Sequence, residues 1–460
     1  MSAVALPRLG AAASAADVVD VTLTAAPLSF RPTASVTFAG LAYNGNIPGP
    51  VLRVRRGQRL RVRYVNRTGE PSTIHWHGMI LPNAMDGVPD VTQPAVRSGG
   101  TFVYEFAPEP AGTRWYHSHS EMQAVRGLVG AIVVEDPHDE PADRDVVVVF
   151  HDVPNMRSVE RAMHGTSSGA MIDPLGSPEL AAMKRGDKMG DEPNYVAHCI
   201  NGAAYPKTKS IIAKVGERVR LRVLNANLTQ TRYVRLAGHT LRVTHSDGNR
   251  LPQAVEVDAL RVGAGERYDA WFELTKPGAF LLQGLSTDPL GFEQALVVAT
   301  PGMERTSPLS VSATVDGVRY FTYELAGGLG GKFVAPHADV TQHYELGGGK
   351  YGSARWTMND KIWPNTTKIR MRRGQRALVS FKNTSDMHHP MHLHGHVFEI
   401  IEINGRALAK PLPKDVSLVD PNGGTMTWSF DATSPGGRWL LHCHNDVHMM
   451  DGMMTEVVYA

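Results

Sequence analysis

The sequence predicts an all-β chain built from three Greek-key β-sandwich units, and three observations lead there. One strand-turn unit recurs three times at domain-sized spacing. Short runs of alternating apolar and polar residues, punctuated by Gly and Pro, fill most of the length. Long stretches with helical periodicity are scarce.

The first copy opens at Asn44-Gly45-Asn46-Ile47-Pro48 and continues as Arg55-Arg56-Gly57-Gln58-Arg59, then the alternating run Leu60 to Asn66. The second has Asn201-Gly202, Tyr205-Pro206 and Val215-Gly216-Glu217-Arg218, running to Asn225. The third has Asn359-Asp360, Trp363-Pro364 and Arg373-Gly374-Gln375-Arg376, running to Asn383. Gly57, Gly216 and Gly374 therefore fall at roughly 158-residue intervals, the length of one domain. Each copy reads as a turn, an alternating strand and an Asn-led loop. Asp145–Phe150, Thr240–Thr244 and His396–Ile403 read as further strands. Polar, turn-rich boundaries are expected near Glu135–Pro141 and Thr300–Val315.

The segment from Met156 to Asp191 breaks the pattern. It carries Met163, His164, Met171, Met183 and Met189 where a loop of the second unit is due, and reads as a helical insert or a lid.

At 460 residues the chain exceeds one hydrophobic core. Its apolar and charged content is that of a globular protein. A net charge of +2 points to neither a nucleic-acid nor a strongly acidic partner. No apolar run is long enough to span a membrane, so no membrane partner is expected. Ala13-Ser14-Ala15 looks like the end of an export signal, although no charged region or full apolar core precedes it. Residues 1–16 are read as a signal tail or as a flexible arm. Export would put the protein in the periplasm or outside the cell.

The chemistry concentrates near the C-terminus, in His442-Cys443-His444-Asn445-Asp446-Val447-His448 followed by Gly452-Met453-Met454. Trp439, Leu440 and Leu441 mark a buried strand leading in. On a strand, neighbouring side chains face opposite ways. Cys443 then faces one side, and His442 and His444 the other, so one strand can serve two metal centres. Cys443, His448 and Met453 offer the thiolate, imidazole and thioether of a blue copper site, which needs one further histidine. With Cys443 engaged, Cys199 has no internal disulfide partner and reads as a small buried hydrophobe.

Histidine, at 20 copies, is the compositional outlier. His75-Trp76-His77-Gly78 and His117-Ser118-His119 lie in the first unit. His389-Pro390-Met391-His392-Leu393-His394-Gly395-His396 and the Cys443 stretch lie in the third. Superposing the repeats sets His75 and His77 on His392 and His394, and His117 and His119 on His442 and His444. The second unit has Tyr233–Gly238 and Leu281–Leu285 at these places and reads as a spacer. An H-x-H pair on a strand puts both rings on one face. The economical geometry is a metal cluster between the first and third units.

These motifs resemble those of three-domain multicopper oxidases of the laccase type, from about Asp17 to Ala460, with all four signatures intact. The resemblance implies cupredoxin-like domains at residues 17–138, 139–302 (with an insert at 156–191) and 303–460. It implies four copper ions. One is a type 1 copper held by His389, Cys443 and His448 with Met453 axial. One is a type 2 copper held by His75 and His392. The type 3 pair is held by His77, His117, His119, His394, His442 and His444. A Met axial ligand implies a lower type 1 potential than in relatives with an apolar residue there. Met454 is read as core, and Met449 and Met450 as packing around the site. Electrons would enter at the Cys443 centre, pass through Cys443 and its flanking histidines, and reduce dioxygen to water.

Asp86, in Met85-Asp86-Gly87, and Asp446, two residues after His444, resemble the family's acidic residues and are candidate proton carriers. The plainer alternatives are an Asp-Gly turn for Asp86 and a loop-capping carboxylate for Asp446. His388 yields to His389 on spacing, and His396 is read as supporting rather than ligating. His138, His151, His164, His198, His239, His245, His337 and His343 stand singly and are left out.

The expected donors are phenols and aromatic amines, with Cu(I) as the alternative because methionine is a soft ligand and the 156–189 segment carries five. Dioxygen is the expected acceptor. A copper carrier without oxygen turnover would need only the Cys443 centre. The first and third units meet within one chain, so a monomer is expected.

Overall fold

The computed structural model describes residues 17–164, 193, 195–285, 294–303, 318–348 and 355–459. Strands dominate, arranged as two sheets in each of three successive stretches: four and four strands, then seven and five, then seven and five. The three β-sandwiches expected from the repeats are thus present.

The repeats fold alike. The strands that follow the repeated Gly turn are Arg59–Asn66, Arg218–Asn225 and Arg376–Asn383. Each pairs in parallel with its unit's long opening strand: Val18–Phe30, Arg144–Pro154 and Val340–Gly348 respectively. The Asn-led turns have a common cause. Asn44, Asn201 and Asn359 take φ of 51°, 49° and 54°, a left-handed conformation that Asn tolerates and most residues resist.

Alternation explains the first of these strands. Leu60, Val62 and Tyr64 are buried, each contributing about 1.5–3 kcal/mol by leaving water. Arg59 and Arg61 point out to Glu105. The equivalent strand of the second unit departs from alternation, because Arg220 and Arg222 are buried as well. Asp269 takes both guanidinium groups at 2.6 and 3.2 Å, and a buried charge needs such a partner.

The ligand-bearing strands belong to two of the sheets, with His75–His77 at the edge of its own. Arg438–Cys443 runs between His389–Leu393 and Met454–Tyr459, with Met391 opposite Cys443 and His392 opposite His442. In the first unit His75–His77 pairs with Gly112–His117, setting His75 opposite His117. Pairing thereby brings two histidine motifs side by side in the first unit and again in the third.

Of the Met-containing insert, Met156–His164 is helical. Met171, Met183 and Met189 lie outside the described residues, as do Ala13, Ser14 and Ala15.

Candidate metal centre

Cys443 ends its strand, and the chain turns at once into a short helix, Asp446–Met450. Asn445 caps that helix, its side chain accepting from the backbone N–H groups of Val447 and His448. The cap fixes His448 next to Cys443. The Cys443 Sγ lies 3.5 Å from His448 Nδ1 and 3.6 Å from His389 Nδ1. All three side chains are buried. Ser385 Oγ sits 2.8 Å from His389 Nε2, and the Trp356 ring stacks on His448 at 3.6 Å, so both imidazoles are held with Nδ1 inward. Met453 is also buried, and its carbonyl accepts from the Cys443 N–H.

The opposite face of the strand enters a second cluster. His442 groups with His119 and His394, and His444 with His77 and His117. Each triad mixes first and third units. His75 and His392 complete the set, with their Nε2 atoms 3.4 Å apart. All eight histidines of the four paired motifs converge here, as the repeats predict. Five of them have Nδ1 anchored on protein oxygen, leaving Nε2 for the centre. The anchors are Asp86 O for His75, Ser118 O for His117, Asp415 O for His392, Asp86 Oδ2 for His394 and Cys443 O for His442, at 2.8–3.0 Å. His77 is reversed: its Nε2 lies 3.1 Å from Asp415 Oδ1, and Nδ1 is the inward atom.

Two aspartates are placed in mirrored fashion. Asp86 of the first unit holds its own His75 through its carbonyl and the third unit's His394 through its carboxylate. Asp415 of the third unit holds its own His392 through its carbonyl and the first unit's His77 through its carboxylate. The rings follow suit: His75 stacks on His394 at 3.8 Å, and His77 on His392 at 3.7 Å.

The donor set suits a metal. Buried ring nitrogens of His77, His117, His119 and His444 have no protein hydrogen-bond partner, and each of these residues offers one ligand atom to a triad. Burial, reinforced by neighbouring imidazoles, holds His77, His117, His119, His392, His394 and His444 well below the ordinary imidazole range. Neutral imidazole is the form that ligates. Burial raises the Cys443 thiol, so a bound cation would have to displace its proton.

Asp86 is buried against His75 and His394, which supports its place at the cluster beyond a turn-forming role. Asp446 opens the first turn of the short helix, and burial pushes its carboxyl up to about 7. His396 supports rather than ligates: Nδ1 meets the His394 carbonyl and Nε2 the Tyr459 hydroxyl. His388 is turned to Asp420. Cys199 is buried, as expected.

Met454 differs from expectation. It is half-buried and, with Met449 and Met450, lines a cleft of about 540 Å³ between the first and third units. Met454 opens its strand ahead of the buried Thr455, Glu456 and Val457, and it lines the cleft. Trp363, Asp90 and the cluster's His119 also line it. Asp415, Trp356, Ser385 and Asn445 were not legible as site residues. Lys414-Asp415, two charges ahead of the apolar Val416–Val419 strand, was the available signal for the first.

Family models described as multicopper oxidase match residues 26–139, 176–294 and 336–460. The chain is 33% identical over 434 residues to multicopper oxidase MmcO of Mycobacterium tuberculosis, covering 91% of this chain and 83% of that one. It is 28% identical to laccase-4 of Thanatephorus cucumeris, over 90% and 83% of the two chains. It is 26% identical to a copper resistance protein A homolog of Pseudomonas syringae pv. tomato, over 91% and 88%.

Proposed function

We propose, for a chain that belongs to the multicopper oxidase family, that it is a laccase-like enzyme taking electrons singly from phenols and aromatic amines. Members of the family are copper-dependent oxidoreductases with dioxygen as acceptor. In this reading His389, Cys443, His448 and Met453 would hold a type 1 copper. His75 and His392 would hold a type 2 copper, and His77, His117, His119, His394, His442 and His444 would hold a type 3 pair. Copper bound at these places supplies one-electron acceptance at the Cys443 centre and four-electron reduction of dioxygen at the histidine cluster.

The chain's own residues do the rest. The His442-Cys443-His444 backbone joins the two centres directly, so no intervening solvent has to reorganise. The buried, neutral imidazoles present lone pairs without first shedding protons. Asp86, in contact with His75 and His394, and Asp446, whose carboxyl exchanges protons near neutral pH, are the proposed proton carriers for water formation.

The observation that carries the reading is Cys443 with His389 and His448 on one face of a strand whose other face enters both histidine triads. For aromatic donors, support comes from the cleft beginning at Met449, one residue past His448. Its size suits a single ring and Trp363 stands in its wall.

A second reading is oxidation of Cu(I). The same cleft carries three thioethers beside Asp90, Glu121 and Asp451, a soft and anionic lining, and several relatives are named for copper resistance. Oxygen uptake by the copper-loaded protein, with a phenol and with Cu(I) in parallel, separates the two. Faster uptake with the phenol supports the laccase reading; faster uptake with Cu(I) replaces it. No helix among the described residues is long and apolar enough to cross a membrane. A periplasmic or extracellular monomer completes the proposal.

A further inference from the structure

The second unit does more than separate the other two. Its Arg267 is fully buried and grips Asp415 of the third unit with both ends of its guanidinium, Nη1 to Oδ1 at 2.7 Å and Nη2 to Oδ2 at 2.6 Å. Such two-point pairing fixes the carboxylate plane. Asp247, also of the second unit, accepts from the backbone N–H groups of Asp415 and Val416 at 3.2 and 3.0 Å, and from the N–H of Arg267 at 3.0 Å. Arg114 of the first unit adds a contact to Asp415 Oδ2 at 3.2 Å. The carboxylate so fixed meets His77 at Nε2, the one ring of the cluster anchored by that nitrogen.

Close packing around the pair is independent support. A Cβ on Gly78, the residue after His77, would lie 2.5 Å from both Arg267 Nη2 and Asp415 Oδ2. Gly265 of the second unit lies so close to the His444 ring that a Cβ there would be 3.0 Å from it. Glycine at both positions lets the second unit close directly on two members of one triad.

We propose that Arg267 and Asp247 lock the Asp415 carboxylate so that it presents His77 to the histidine cluster through Nδ1, making the second unit a positioning element of the copper site. His392 is held in the same lock through the Asp415 carbonyl. Arg267 and Asp415 touch no substrate; they act through His77 and His392.

The inference rests on the histidine cluster binding copper, and the test separates the two. Asp415→Asn and Arg267→Lys are purified copper-loaded and compared with the unaltered chain. The readouts are copper per chain, the visible band of the Cys443 centre and the near-ultraviolet band of the coupled pair. Asp269→Asn is the control: it is an equally buried and paired carboxylate of the second unit that touches no candidate ligand. The expected result is a normal visible band in both lock variants, a near-ultraviolet band reduced by half or more, and cluster copper held about tenfold more weakly. Asp269→Asn should keep the normal ratio of the two bands. If Asp415→Asn shows no visible band, Arg267→Lys, which keeps the charge but not the two-point grip, decides alone. Normal band ratios and copper retention in the lock variants would overturn the proposal, as would an equal loss in Asp269→Asn. An unaltered protein with copper at the Cys443 centre alone would overturn the cluster assignment beneath it.

Discussion

His389 and His448 face each other through their Nδ1 atoms, 3.1 Å apart, with the Cys443 sulfur within 3.6 Å of both. Three donors converging from two strands and a helix, in a site sealed by Trp356, have no purpose as hydrogen-bonding groups alone. Two imidazoles and a cysteine sulfur at this spacing match the soft-metal donor set proposed above for copper.

Cys443→Ser should therefore abolish the blue colour and reduce oxygen uptake to background with any donor, while copper remains bound at the histidine cluster. Absorbance, copper content and oxygen consumption on one sample check this. Oxidase activity surviving the substitution would show that electrons do not enter at Cys443.

Trp356 stacks on His448 and is wholly buried. Trp356→Ala should cost about 3–5 kcal/mol through the cavity it leaves. It should also shift the visible band, since His448 gains rotational freedom. Trp356→Phe should restore most of both. Denaturant unfolding and the visible spectrum are the measurements.

Asp86 reaches across units to His394. Asp86→Asn should slow dioxygen reduction about 10- to 100-fold, the usual range for loss of a ligand's supporting partner. Anaerobic bleaching of the blue band by donor should keep its rate. Stopped-flow mixing with donor and then with oxygen resolves the two phases; equal slowing of both would contradict the assignment.

Burial would raise the Asp269 carboxyl, but Arg222 and Arg220 outweigh it and hold the group well below the usual carboxylate range. Its folded pKa lies below the unfolded value of about 3.9, so its stabilising contribution is complete above that value. The contribution is lost as pH falls through the folded pKa. Asp269→Asn should thus be less stable than the unaltered chain at neutral pH, and the gap should narrow steadily below about pH 4. A gap independent of pH would show that the ion pairs are not its source.

Removing copper should lower the melting temperature, because ligand bound to the native state alone adds stability. The buried cluster histidines have folded pKa values below the unfolded value of about 6.5, so they favour folding above it. Metal-free protein should lose further stability as pH falls below about 6.5, when the unfolded chain takes up protons that the folded cluster refuses. Melting curves with and without chelator at neutral and mildly acid pH measure both effects.

The cluster was legible because strand geometry and ligand chemistry act over short sequence distances. An H-x-H pair is two imidazoles on one face wherever a strand forms, and Cys443 between His442 and His444 has to face away. Asn44, Asn201 and Asn359 likewise announce their turns locally. What escaped depends on distance. Arg267 and Asp415 are 148 residues apart, and His77 and Asp415 are 338 apart. Neither pair leaves a periodicity or a spacing to read. The same holds for Trp356 over His448. The second unit reads as a spacer because it lacks the paired H-x-H motifs, whereas its contribution is made by an arginine, an aspartate and a glycine that carry no ligand signature.

The most direct measurement of the central claim is copper per chain together with the electron paramagnetic resonance of the resting protein. Two centres joined by the His442-Cys443-His444 strand predict four copper ions per chain, with only two detected because the type 3 pair is coupled and silent. One copper per chain, giving the blue-centre signal alone, would contradict the account and leave an electron carrier in its place.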